Sequence, residues 1–152
     1  MADNAPLLAL AGPMIQREEG CRLTAYKDTR AIWTIGWGRA DPLVHEGMTC
    51  TQAQADEWFD AKLSSLCEQL DKVGSWWRNI DLPRQAVMLG MAYQLGVGGL
   101  LRFQKTLAAM QEGNWAVASA MMLMSDWQKQ TPERAARMAR IVKTGFMPPV
   151  AA

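Results

Sequence analysis

The chain has 152 residues, a length that suits one domain and lets it bury about 68–70% of its unfolded surface without disulfide or metal staples. Hydrophobic residues make up 49% and charged residues 20%, a composition that excludes a disordered chain. The net charge of +1 lacks the basic excess of a dedicated nucleic-acid binder, so no nucleic-acid partner is expected.

The N-terminal stretch APLLALAGPMI is apolar but shorter than the ~20 residues needed to span a bilayer. It lacks a positive leader, carries Asp3 and meets Pro13, so neither a signal peptide nor a membrane anchor is expected. Residues 6–19 read as a helix, with a break anticipated at Pro13 and a stop at Gly20. That puts Glu19 at the helix C-terminus. Residues 22–38 read as strands, with KDTRA as the turn and Ile32, Thr34 and Gly36 sharing one face by the period of two. Residues 39–50, with Asp41-Pro42 and Gly47, read as loop.

Thr51-Gln-Ala-Gln54 fits a capping box, and apolar residues at 55, 58, 59, 63, 66, 67, 70 and 73 follow at helical spacing. Asp81-Leu-Pro83 opens another helix with a stripe of Val87, Met88, Met91, Ala92 and Leu95, broken by GVGGL at 96–100. Helical pieces are expected near 102–112, 114–125 and 132–143, with Thr131 as N-cap before Pro132. One small sheet among many helices makes the fold class α+β.

The three cysteines Cys21, Cys50 and Cys67 form no C-x-x-C motif, and free thiols are the simplest account, although sequence leaves a Cys50–Cys67 bridge open. His45 is the single histidine, in a loop with no partner, which argues against Ser-His-Asp or Cys-His catalysis. No metal or phosphate motif is present, and no cofactor is expected. Residues 127–152 carry five Lys/Arg (Lys129, Arg134, Arg137, Arg140, Lys143) against Glu133. A solvated helix face is the plain reading of that excess.

The chemistry-bearing side chains gather in residues 19–38, EGCRLTAYKDTRAIWTIGWG. Each has an ordinary reading. Glu19 fits a surface acid, although the negative end of the helix dipole disfavours it there. Asp28-Thr29 fits a turn, and Thr34 is at home in a strand. Together they have a second reading. Glycosidic cleavage needs one carboxyl to protonate the leaving oxygen, and a second carboxylate to steer water or attack carbon from the other face. A helix end and a hairpin, each carrying one acid, would form two walls of a cleft, with a hydroxyl one strand over to hold the water.

This segment resembles the catalytic segment of phage-type lysozymes, the glycoside hydrolases typified by the T-even phage lysozyme. The shared pattern is an acid, an Asp nine residues on, a Thr six further, then Ile-Gly-x-Gly, and Glu19, Asp28, Thr34 and IGWG match it without a gap. WQKQTPERAARMARIVKTG (127–145) resembles the family's C-terminal stretch, and AYQLGVGGLLRFQKTL (92–107) its cleft-floor helix, Gly-containing turn and following Phe. Residues 40–80 carry little of the likeness. Arg39 stands where many relatives have His, and Cys21 takes the hydrophobic position after Glu-Gly.

The resemblance implies a mostly helical lysozyme-like fold in a single domain, 1–152. Its sheet lobe is expected at about 20–60 and its helical lobe at 1–19 and 61–152, with a cleft between. It implies Glu19 as general acid, Asp28 as the group positioning water with help from Thr34, and Arg134 as the partner of the catalytic Glu. Tyr93, Gln94, Thr106 and Thr131 fall at sugar-contacting positions, while Trp33 and Trp37 are expected to pack. The implied activity is a muramidase acting on bacterial peptidoglycan, at the β-1,4 bond between N-acetylmuramic acid and N-acetylglucosamine, with inversion. A monomer is expected, held in the host cytoplasm until a holin or another delivery route lets it reach the wall in the periplasm; a tail-associated or secreted-effector lysozyme would carry the same catalytic residues. The rival readings are a lytic transglycosylase, which closes a 1,6-anhydro ring, and a wall-binding module with a retired active site.

Overall fold

The computed structural model describes residues 3–150. Helix α1 (Ala5–Glu19) runs through Pro13 without the anticipated break. Ala9 and Pro13 both lie on its exposed side, where water can take the carbonyl that proline leaves unbonded. Gly20 ends the helix at φ 66°, and the chain turns directly into the sheet. Strands β1 (Arg22–Lys27) and β2 (Trp33–Gly36) pair antiparallel, with Tyr26 opposite Thr34 and an irregularity between Arg22 and Tyr26.

The expected common face of Ile32, Thr34 and Gly36 does not form. Ile32 precedes β2 and is exposed, whereas Thr34, Ile35 and Gly36 are buried in succession. Gly36 lies against Ala55 of the next helix, and paired bonds between Ile35 and Arg39 fold the following loop back over the strand end. Covering on both sides removes the alternation that a half-exposed strand shows.

Helix α2 (Gln52–Val73) begins at the expected capping box, with the Gln54 amide donating to the Thr51 hydroxyl and the Thr51 amide to the Gln54 side chain. Its stripe packs through Ala55, Phe59, Leu63, Leu66, Cys67 and Leu70, leaving Val73 exposed. A 3-10 turn at Ser75–Arg78, not foreseen from the sequence, buries Trp77 and ties its indole N–H to Asp71 at 2.9 Å.

Helix α3 (Leu82–Leu101) is buried continuously from Gln85 to Tyr93, so the expected stripe is an all-round core helix. The glycine break is real: Gly96 has φ 75°, although helical bonding resumes to Leu101. Four helices follow: α4 (Gln104–Gln111), α5 (Trp115–Leu123), α6 (Asp126–Gln130) and α7 (Pro132–Thr144). The short α6 gave too little periodicity to be anticipated. Thr131 precedes α7 but does not cap it, because its hydroxyl donates to the Trp127 carbonyl at 3.1 Å.

The core is one cluster to which all seven helices contribute. Gly90 of α3 makes the α1 contact possible, since a Cβ there would meet Met14 Cε at 2.9 Å. The three cysteines are free thiols, and His45 is exposed. Among the described residues, no single helix is long and apolar enough to cross a membrane. The architecture is α+β and lysozyme-like: seven α-helices around one two-stranded antiparallel sheet among the described residues.

Candidate active site

The turn from α1 into β1 leaves Glu19 at the mouth of a cavity of about 870 Å³. The same cavity is lined by Asp28 and Thr34 from the hairpin, Tyr93 and Gln94 from α3, and Thr131 and Arg134 from the α6–α7 junction. Seven of the eight site residues expected from sequence therefore share one hollow. Thr106 is the eighth. It is buried in α4 and lines an adjoining hollow with Phe103 and Trp127. Leu95 and Gln130 border both spaces, so the two are continuous.

Glu19 is held from two sides. Arg134 Nη1 donates to its Oε1 at 3.0 Å, with the arginine side chain only 10% exposed and the glutamate 18%. Gly38, the last residue of IGWG, makes the other side. A Cβ on Gly38 would sit 2.8 Å from Glu19 Oε2, and φ there is +87°. Only glycine satisfies both the backbone angle and the approach. Beside this pair, Arg137 grips the preceding Glu18 through two bonds of 2.7 and 2.8 Å, a fork on a carboxylate that is 8% exposed. The basic C-terminal excess is thus partly turned inward rather than wholly solvated. Arg134 Nε and Nη2 are buried without a partner among the described residues, a cost of about 1–3 kcal/mol each that its neighbours must offset.

Asp28 faces Glu19 from the hairpin turn. Its Oδ1 accepts the amides of Arg30 at 2.8 Å and Ile32 at 2.9 Å. The Ile32 amide above all, aided by the Arg30 amide and charge, outweighs slight desolvation and holds the carboxyl below its ordinary pKa. Ala31 takes φ 61° to close the turn that aims these amides. Asp28 is therefore held as a carboxylate whose second oxygen accepts no bond among the described residues. Thr34 donates its hydroxyl proton to the Ile32 carbonyl at 2.9 Å, which leaves the Oγ1 lone pairs for a donor from the cleft.

The remaining wall is braced from behind. Gln94 accepts the Trp127 indole N–H at 2.9 Å, which fixes its amide and leaves its NH2 group available. Tyr93 donates its hydroxyl to the Trp37 carbonyl, and burial pushes its phenol pKa far up, so it presents a ring rather than a free hydroxyl. Trp37 packs on Phe59 and donates to Asp56 at 2.8 Å, in keeping with the packing role expected for it. Arg39 pairs with Asp41 at 2.5 Å and lies over the Trp58 ring. Sequence reasoning passed over Gly38, Tyr26, Lys62 and the Glu18–Arg137 pair. The second glycine of IGWG was the available signal for Gly38. Lys62, which also lines the cavity, left no comparable signal in the sequence.

The phage lysozyme family model matches residues 16–141, and the chain belongs to that family. It is 30% identical to the pre-baseplate central spike protein Gp5 of Enterobacteria phage T4, over 94% of this chain and 29% of that protein. It is 26% identical to probable T4-type lysozyme 1 of Dictyostelium discoideum, over 88% of this chain and 94% of the relative. With the peptidoglycan hydrolase gp36 of Pseudomonas phage phiKMV the identity is 30%, over 77% of this chain and 13% of the relative. The chain thus spans the Dictyostelium relative almost fully, but under a third of the spike protein.

Gly38→Ala tests how closely the hairpin is fitted to the acid. The left-handed backbone alone should destabilise the protein by about 1–2 kcal/mol. Activity on peptidoglycan should fall further than this loss explains, because the new methyl displaces the Glu19 carboxylate. Urea denaturation and turnover on the same preparations measure both, and unchanged turnover in the destabilised variant would contradict the fit.

Proposed function

We propose that the chain is a muramidase that hydrolyses the β-1,4 bond between N-acetylmuramic acid and N-acetylglucosamine of bacterial peptidoglycan. Membership of the phage lysozyme family supports a cell-wall hydrolase. The observation that carries the finer reading is the meeting of Glu19, Asp28 and Thr34 in one open cavity with room for a sugar strand.

Glu19 serves as general acid, giving its proton to the glycosidic oxygen as the bond to the anomeric carbon breaks. Arg134 orients that carboxyl and stabilises the carboxylate left behind. A water donates one hydrogen bond to Thr34 Oγ1 and its other proton to Asp28, while its lone pair attacks the anomeric carbon from the opposite face. The product then has inverted configuration, as expected where a water fits between carboxyls about 6.5–9.5 Å apart. Gln94 and Thr131 offer polar contacts to the sugars, Tyr93 a ring wall, and Thr106 a position further along the connected hollow.

In this reading, residues 1–152 act as a single lysozyme domain, with the sheet side at about 20–60 and the helical side at 1–19 and 61–152. The protein acts as a monomer in lysis of a phage host, waiting in the host cytoplasm and reaching the periplasmic wall through a holin or another delivery route.

Glu19→Gln should cut release of new reducing ends from purified peptidoglycan by about 10²–10⁴-fold, the range for removal of a general acid. Wild-type products should carry free muramic acid reducing ends by mass. Retained activity in the variant would remove the assignment, and 1,6-anhydro products would replace hydrolysis by transglycosylation.

The Asp28 turn sets the direction of the pH profile. The base must be ionised, and its pKa is depressed in the fold, so activity should persist as pH falls through the ordinary Asp value of about 3.9 and fade only below it. The stability that Asp28 contributes has the same sign: it is present above the unfolded value and lost as pH falls through the folded one. A kcat/KM profile in which Asp28 titrates at or above its ordinary value would contradict the turn's role.

A further inference from the structure

Lys62 projects from α2 to the junction of two hollows. One is the main cleft. The other is a side pocket of about 290 Å³ walled by Trp37, Arg39, Asp41, Trp58, Phe59 and Tyr93. The Lys62 ammonium lies 3.9 Å from the centre of the Tyr93 ring. Among the described residues it makes no ion pair. The two carboxylates that border its surroundings are already engaged: Asp41 by Arg39 at 2.5 Å and Glu19 by Arg134 at 3.0 Å.

A cation taken partly out of water is costly unless it is paired. The tyrosine face offsets about 0.5–2 kcal/mol of that cost and accepts no hydrogen bond from the remaining N–H donors in the way an oxygen would. Burial also holds the Lys62 pKa below the ordinary lysine value, although the Glu19 charge opposes the shift. The side pocket therefore presents two indoles, an Arg39–Asp41 pair whose charges cancel, and the unmatched Lys62 ammonium, which leaves it one positive charge in excess. It is shaped for a small group that is apolar on its sides and anionic at its tip.

We infer that this side pocket is a subsite for a carboxylate of the peptide stem carried by the muramic acid residue, with Lys62 as its charge partner and Trp37 and Trp58 as walls for the aliphatic part. The inference rests on the muramidase reading above. The sugars of the glycan strand bring hydroxyls and amides, which carry no charge. The stem, joined through the lactyl group, supplies the anions of the polymer. Continuity of the pocket with the cleft at Lys62 and Tyr93 lets a stem enter it while its sugar stays in the main groove.

The test uses two soluble probes that lack a bond to cleave: N-acetylmuramoyl-L-alanyl-D-glutamate, and the same compound with both glutamate carboxyls amidated. Calorimetric titration of the full chain should give about tenfold tighter binding of the carboxylate form, the size expected of one partly desolvated charge-assisted contact. Lys62→Met should reduce that preference to under twofold, Lys62→Gln should do the same, and Lys62→Arg should keep most of it. Equal binding of the two probes by wild type would overturn the subsite, as would a preference that survives in Lys62→Met or Lys62→Gln. Because neither probe is hydrolysed, failure of the subsite is distinguishable from failure of the muramidase reading, which shows instead as no release of reducing ends from peptidoglycan by wild type.

Discussion

Two arginines one turn apart on α7 hold the last two residues of α1, and the site depends on that grip. Arg134 takes Glu19 and Arg137 takes Glu18, across 115 and 119 residues of chain. The end of α1 is a poor place for two carboxylates, because the helix dipole repels negative charge there. The guanidinium groups reverse that balance. They also fix where α1 stops relative to α7, and so where the acid stands in the cleft. Loss of Arg134 or Glu19, whose side chains are 10% and 18% exposed, leaves the other charge unmatched where water reaches it poorly, while Arg137, 40% exposed, is better solvated.

Glycines set the remaining tolerances. Gly20 releases the chain from α1 into β1 at once, so that acid and hairpin belong to one short segment. Gly38 brings the end of the hairpin to within contact of Glu19, and Gly90 brings α1 down on α3. The carboxylate is thereby located by backbone on one side and by a salt bridge on the other. Asp28 is located differently, by amides of its own turn. One acid is thus positioned by tertiary contact and the other by local structure, which separates their environments although they share a cavity.

Much of this was legible in the sequence, for identifiable reasons. The capping box at Thr51 formed because both of its bonds are local. The trio in 19–38 was singled out through the family resemblance of that segment, whose spacing alone also fits an ordinary helix end, turn and strand; the three side chains do line one cavity. Misreadings arose where tertiary cover outweighed local pattern. The break expected at Pro13 is absent because the proline faces water. The alternation expected in β2 is absent because the strand is covered twice. Thr131 precedes α7 as expected, but its hydroxyl serves the turn behind it. Arg137 read as part of a solvated face and Lys62 drew no reading, since a cation directed at a distant carboxylate or at a cleft leaves no mark on helical periodicity.

A charge-swap experiment on the Glu18–Arg137 pair, read as kcat/KM on peptidoglycan, tests the grip most directly. Arg137→Glu alone should cost at least tenfold, since it sets two carboxylates against each other beside Glu19. The double variant Glu18→Arg with Arg137→Glu should recover most of that loss by restoring the clasp with its charges exchanged. A double variant as impaired as the single one, or a single variant as active as wild type, would contradict the claim that this contact assembles the site.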